Sequence, residues 1–218
     1  MINCYITKLQ IMLTKNDFTY RTLTTEDSES YLDLYNSSDE LMSMNKKEIG
    51  HTDSMAITVL SNPNALVVGA FDANNTLIAS TFGLFSTKLP YWYAMRQLFR
   101  TPDNSLAMYK LSIKIFKECM NMIISHAESK EYFAFYSRRT VEQQTAFEHM
   151  AVRSGETKSS RYDLYHEMVY PKGSNCKFAV HEPYFSNLKS YPVDTIISFS
   201  VLKQEERKKL LDSTYHCY

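Results

Sequence analysis

The sequence predicts an α/β protein with a mixed, mostly antiparallel central sheet flanked by helices, and three observations predict it. Two apolar runs, at 65–71 and 77–85, flank the polar loop 72–76 in the pattern of a β-hairpin. A further run at 91–99 follows the connection at 87–90 and extends the antiparallel sheet. A long helix comes next. Tyr109, Ile113, Phe116, Met120, Ile123 and Ala127 recur at three- and four-residue steps on one face, with Lys110, Lys114, Lys117 and Asn121 on the other. Hairpins combined with crossover helices place antiparallel and parallel pairs in one sheet.

In chain order, residues 18–23 alternate as a short strand, and Thr24 with Glu26 and Asp27 marks a helix start. That helix, over 26–35, buries Tyr31, Leu32, Leu34 and Tyr35. Residues 39–50 are ambiguous between a loop and a short helix. A second helical stretch at 53–60 stops at 61–64, around Pro63. After the 91–99 strand, Asp103, Asn104 and Ser105 are all competent to cap the long helix. A strand feeding a helix N-terminus through a tight turn presents free backbone N–H groups and the positive end of a dipole, a natural anion site. Residues 131–136 form a strand, and Arg138, Arg139 and Thr140 lead into a helix over 141–152, stopped by Gly155. A strand at 161–170 closes at Pro171 and Gly173; 178–180 and 195–202 are strand candidates, and 204–211 a short charged helix. The chain divides into an N-terminal segment 1–17, a domain 18–173, and an extension 174–218 that packs on the domain or on a partner subunit.

Composition narrows the function classes. The 24 basic and 24 acidic residues cancel, so no overall charge draws the chain to nucleic acid or an anionic membrane. No apolar run approaches the roughly 20 residues that cross a bilayer. Residues 1–15 lack the apolar core and cleavage site of a secretory signal. Cys4, Cys119, Cys176 and Cys217 have no metal-ligand spacing, so no metal is expected. Cys119, inside the long helix, reads as a small core residue, and the pattern fits a reducing, cytoplasmic setting. Low glycine with abundant Asn, Lys, Ile and Tyr points toward an AT-rich genome such as a viral one. No zincin motif, P-loop or dinucleotide-binding glycine fingerprint is present.

The order and lengths of the elements over 19–170 resemble the GCN5-related N-acetyltransferase (GNAT) fold. Three places carry the resemblance: the stretch 20–27, with Arg21, a polar turn and the acidic pair Glu26 and Asp27; the hairpin 67–85; and the strand, loop and helix start over 93–108. In that family acyl-coenzyme A (acyl-CoA) lies where the fourth and fifth strands splay apart. Its pyrophosphate is held by an Arg/Gln-x-x-Gly-x-Gly/Ala loop. The corresponding residues are Arg100, Thr101, Pro102, Asp103, Asn104 and Ser105, with Asp103 at the first Gly position and Ser105 at the final one. A later family helix carries a Tyr acid; here Met150 or Ala151 falls near its position, beside His149.

The resemblance implies an acyl-CoA-dependent N-acyltransferase that moves an acetyl group to an amine by direct attack. Acetyl-CoA is the implied co-substrate. It would lie between the 93–99 and 132–136 strands, held by Leu98, Phe99, Arg100, Asn104, Ser105, Leu106 and Arg138. His149, titrating near neutrality, is the candidate base or acid, and Tyr136 the candidate donor to the departing thiolate. The acceptor is a small-molecule or protein amine, and a homodimer is left open. Tyr91, Trp92 and Tyr93 read either as core or as the lining of a groove. The second reading is a GNAT-shaped protein without acetyl transfer: a binding or structural module, or a phage-type nucleobase-modifying relative.

Overall fold

Seven strands form one sheet in the order β1-β2-β3-β4-β5-β7-β6, in a computed structural model that describes residues 17–38, 53–87, 90–100, 106–141, 162–175, 190–191 and 194–203. The elements are β1 (Thr19–Thr22), α1 (Ser28–Ser37), α2 (Asp53–Thr58), β2 (Ala65–Phe71), β3 (Leu77–Phe85), β4 (Tyr91–Phe99), α3 (Leu106–Ser129), β5 (Ala134–Thr140), β6 (Tyr162–Tyr170) and β7 (Thr195–Leu202). Every neighbouring pair is antiparallel except β4 and β5. That exception follows from connectivity: α3 is the crossover between them, and a parallel pair needs a long connection of this kind. The α/β class with a mostly antiparallel sheet is therefore as the sequence indicates. The expected elements at 39–50, 142–152, 178–180 and 204–211 lie outside the described residues.

The first turn is written locally. Thr24 Oγ1 accepts from the Glu26 amide at 3.3 Å, and the Asp27 carboxylate accepts from the Thr24 amide at 2.9 Å, a reciprocal capping box. Arg21 then grips Asp27 through both guanidinium nitrogens at 2.8 and 2.6 Å while lying over the Phe71 ring, 4.2 Å from its centroid. Arg21 and the acidic turn thus bind each other and fasten α1 to the edge of the sheet.

Strand alternation sorts side chains onto two faces. On one, Tyr31, Leu34 and Tyr35 of α1 pack with Val67, Phe82, Leu84, Tyr93 and Leu98. On the other, Leu111, Ile115, Phe116, Cys119, Ile123 and Ala127 of α3 pack with Val68, Ala70, Ala79, Trp92 and Phe99. The buried line of α3 runs 111, 115, 119, 123, 127, which shifts the expected stripe. Phe116, Ile123 and Ala127 are buried as expected, but Ile113 and Met120 are only half-buried. The helix is apolar around much of its circumference, so periodicity alone does not choose which line meets the sheet. Gly83 fixes that choice. A Cβ there would sit 2.8 Å from Ile123 Cγ2 and 3.1 Å from Trp92 Cε3, so glycine lets α3 lie directly on β3.

Two boundaries move for physical reasons. The fifth strand starts at Ala134 rather than residue 131, because Glu131 takes a left-handed conformation (φ 61) that ends α3. The Tyr132 amide there donates back to the Ala127 carbonyl at 2.9 Å. Arg138, Arg139 and Thr140 continue the strand instead of opening a helix, because β7 supplies them with partners: Ile197, Ile196 and Thr195. The strand at 195–202, which the sequence places beyond residue 173, occupies an interior position between β5 and β6.

Gly83→Ala should lower stability by about 1–3 kcal/mol through overpacking against Ile123, measured by denaturant unfolding. Asp27→Asn should lower it by about 1 kcal/mol at neutral pH, the usual scale of a lost cap. The Arg21 hydrogen bonds hold the Asp27 carboxyl below its ordinary value of 3.8. Its contribution is therefore complete above that value and disappears as pH falls through the lowered one. The gap in melting temperature between wild type and Asp27→Asn should close in acid.

Candidate active site

The parallel ladder between β4 and β5 is short. It runs from Tyr91↔Ala134 through Trp92↔Phe135 and Tyr93↔Tyr136 to Ala94↔Ser137, and stops there. Beyond that pair β4 continues to Phe99 on β3, and β5 continues to Thr140 on β7. The two central strands therefore part as a V with its vertex at Ala94 and Ser137.

A bulge in β4 sits at the same place. Ser80 faces Leu98 and Phe82 faces Met95, so Arg96 and Gln97 together oppose Thr81 alone. An extra residue bends the strand and ends regular pairing. It also resets the alternation: Tyr93 and Leu98, five residues apart, share the α1 face, and Phe99 packs on the α3 face. Below the vertex the strands are tied together. The Tyr132 hydroxyl donates to the Ser86 carbonyl at 2.6 Å, and the Phe133 amide to the Pro90 carbonyl at 3.2 Å. Trp92 is fully buried between the rings of Phe85 and Phe135, at centroid distances of 5.9 and 4.9 Å. Trp92 and Tyr93 thus belong to the core, and Tyr91 is half-buried beside it.

At the open end of β4, the Arg100 amide donates to the Ile78 carbonyl at 2.8 Å, which fixes the strand terminus. Its guanidinium reaches Asp33 of α1 at 2.5 Å, with the two side chains 33% and 66% exposed. Leu98 and Phe99 are buried, one on each face, so of these two and Arg100 only Arg100 offers an accessible side chain. Leu106 begins α3. Tyr136 and Arg138 lie on β5 opposite Phe199 and Ile197. Tyr136 is one residue before the vertex and Arg138 one after it. Asn104, Ser105 and His149 lie outside the described residues.

A polar row crosses the sheet at the vertex. Ser137 and Ser198 are register partners, as are Ser198 and Glu167. Their hydroxyl oxygens are 3.0 Å apart. Arg139 donates to Ser198 at 3.0 Å and to Glu167 at 2.8 Å, with a longer approach of 3.5 Å to Ser137. Sequence reading missed Ser137, Ser198 and Glu167 as a group, since 61 residues separate the two serines. His166 and Glu167, adjacent on β6, fall on opposite faces as alternation requires.

Other chemistries find no support among the described residues. No group of His, Cys, Asp or Glu is arranged to hold a metal, and no helix is long and apolar enough to cross a membrane. Cys119 is fully buried, and burial, with Glu118 adding to it, pushes its thiol up to about 12.

A scan of protein-family models finds no match to the sequence, and a search of curated protein sequences finds none either. Solved structures do match. A Staphylococcus epidermidis protein described as a probable acetyltransferase superposes with a TM-score of 0.54 at 14% identity, over 84% of this chain and 97% of its own. The chain has the GNAT fold. The ribosomal-protein-alanine N-acetyltransferase of Escherichia coli is similar at a TM-score of 0.52 and 10% identity, over 85% of this chain and 93% of that one. A spermidine N-acetyltransferase chimera built in part from the Vibrio cholerae enzyme matches at 0.52 and 12%, over 89% and 98%. With identities this low, the GNAT likeness is one of architecture, and function must be argued from the site.

Cys119 should resist thiol-directed alkylation at neutral pH in the folded protein and react once it is unfolded in denaturant. Peptide mapping after each treatment checks this, and separates Cys119 from the other three cysteines.

Proposed function

We propose that the protein is an acyl-CoA-dependent N-acyltransferase acting on an amine, with acetyl-CoA as the acyl donor. One observation carries the reading: β4 and β5 run in parallel, pair through Ala94↔Ser137 and then part. The opening presents the β5-facing edge of β4 at 95–99. The pantetheine arm of CoA is an extended chain with two amides, and it suits a strand edge of that kind. Acyl-CoA supplies an activated thioester, and the chain's part is to hold it and to orient the amine against it.

Arg100 stands where β4 leads into loop 101–105. Asp33 engages one of its guanidinium nitrogens, which leaves other donors of the fork for phosphate. Pro102 contributes no amide, so the anion depends on Arg100, with Asn104, Ser105 and the start of α3 at Leu106 completing the cradle. Leu98 and Phe99 hold the β4 wall rigid from within the core. Arg138, the first β5 residue past the vertex, belongs to the opposite wall. Backbone N–H groups of β4 past the bulge polarise the thioester carbonyl, and His149 is the candidate that receives the amine proton. The acceptor is an amine of a small molecule or a protein.

Calorimetry with acetyl-CoA tests this. Wild type should bind in the micromolar range, about −8 kcal/mol. Arg100→Ala should bind about tenfold or more weakly, the scale of a lost charged hydrogen bond. Absence of binding at millimolar ligand would remove the reading.

A further inference from the structure

We propose that Ser137 is a catalytic residue whose hydroxyl donates a hydrogen bond to the thioester sulfur as negative charge develops there. The inference rests on the acyl-CoA reading and deepens it.

Position is the first argument. Ser137 is the last β5 residue paired with β4, so it marks the floor of the opening. Any thioester that enters the V fully comes to rest at this residue and at Ala94. Face is the second. Phe135 packs with the α3-side cluster, and Ser137 and Arg139 alternate with it onto that face. The hydroxyl therefore stands on the α3 face of the sheet at the vertex, with Ser198 of β7 behind it.

Polarity is the third. Ser198 is 4% exposed and accepts from Arg139, and the two serine oxygens share one hydrogen bond. If Ser137 were its donor, the Ser198 proton would need a second acceptor inside the sheet. With Ser198 as donor, both serine oxygens are engaged: Arg139 donates to Glu167 and Ser198, and Ser198 donates to Ser137. The proton left over is that of Ser137, the member of the pair that is not fully buried. Arg139 thus sets the direction of the chain of hydrogen bonds, which makes it a positioning residue. Among the described residues, the charged groups in contact with the hydroxyl pair are Arg139 and, through it, Glu167.

Chemistry assigns the partner. The carbonyl oxygen and the sulfur of a thioester point to different sides of the reacting carbon. Backbone N–H groups of β4 serve the oxygen, so the hydroxyl on the β5 wall serves the sulfur. In the step itself, the amine nitrogen forms the new C–N bond. The C–S bond breaks with its electron pair on sulfur, and the amine proton passes to base or water. Ser137 keeps its proton and shares it with the thiolate. Tyr136, the donor that sequence position suggests, is the residue before it on β5.

The test needs no acceptor: the thiol of bound CoA is titrated by its ultraviolet thiolate absorbance. In wild type the bound thiol should titrate below free CoA. Ser137→Ala should raise it by about one pKa unit, a tenfold loss of thiolate stabilisation, while affinity for desulfo-CoA stays the same. Ser137→Thr, which keeps the hydroxyl, should retain the wild-type titration, and Ser198→Ala should lose part of the shift by freeing Ser137 to turn. Tyr136→Phe should leave the titration where it is. CoA that binds wild type with an unshifted thiol would overturn the role of Ser137 and leave the acyl-CoA reading standing. A shift lost in Tyr136→Phe and kept in Ser137→Ala would give the role to Tyr136. Wild type that fails to bind CoA at all would overturn both.

Discussion

The parting of β4 and β5 is the constraint on which the rest of the structure depends. A sheet that paired its central strands to their ends would be a continuous wall with no place for a ligand. Here the ladder stops after Ala94↔Ser137. The cause is on the other edge of β4, where Arg96 and Gln97 crowd opposite Thr81. The extra residue turns β4 toward β3 and away from β5. Each strand then keeps a full set of partners on its outer side: β3 holds β4 to Phe99, and β7 holds β5 to Thr140. The flanking ladders hold both strands in place, while their inner edges past the vertex no longer pair with each other.

That arrangement makes demands elsewhere. A bent strand resets its own alternation, so Leu98 must face α1 and Phe99 must face α3 for both faces to remain apolar, and they do. The helix that crosses from β4 to β5 must lie flat on the sheet, and Gly83 grants the clearance that Ile123 needs. The closed base must resist the splaying force of the open end. Tyr132 bonded to Ser86 and the Trp92 stack between Phe85 and Phe135 supply that resistance. The rigidity of the V is therefore distributed over loop, core and helix.

Much of this is legible in the sequence, where local pattern is sufficient. The hairpin strands Ala65–Phe71 and Leu77–Phe85 and the strand Tyr91–Phe99 stand where alternation and turn residues put them. The capping box at Thr24 and Asp27 is written in four residues. What local pattern leaves out depends on distant partners. Arg138 to Thr140 are strand because β7 pairs with them from across the chain, and the face of α3 is chosen by a glycine on β3. The bulge has no signature in the run Tyr91–Phe99, which contains neither glycine nor proline to mark it. The site shows the same division. Arg100 is found from its place before a helix start, whereas the row Ser137, Ser198 and Glu167 exists only after three strands are assembled. His149, Asn104 and Ser105 remain assignments from sequence position.

The polar row also bears on why hydroxyls stand at that point of the sheet. Ser198 is buried on an interior strand, where Ile196 and Ile197 show that apolar side chains fit well. A pair of small apolar residues at 137 and 198 would leave Arg139 its bond to Glu167 but would remove the acceptor that Ser198 gives it at 3.0 Å. The serine pair therefore also serves stability, because Ser198 accepts from a guanidinium that is only partly exposed. The serines add a fixed direction to the hydrogen bonds that end at the vertex. Direction matters where charge appears and disappears, as it does on a leaving thiolate, and it contributes little to a core that only has to hold. The bulge opens the sheet, and the serine row gives the opening a polar floor.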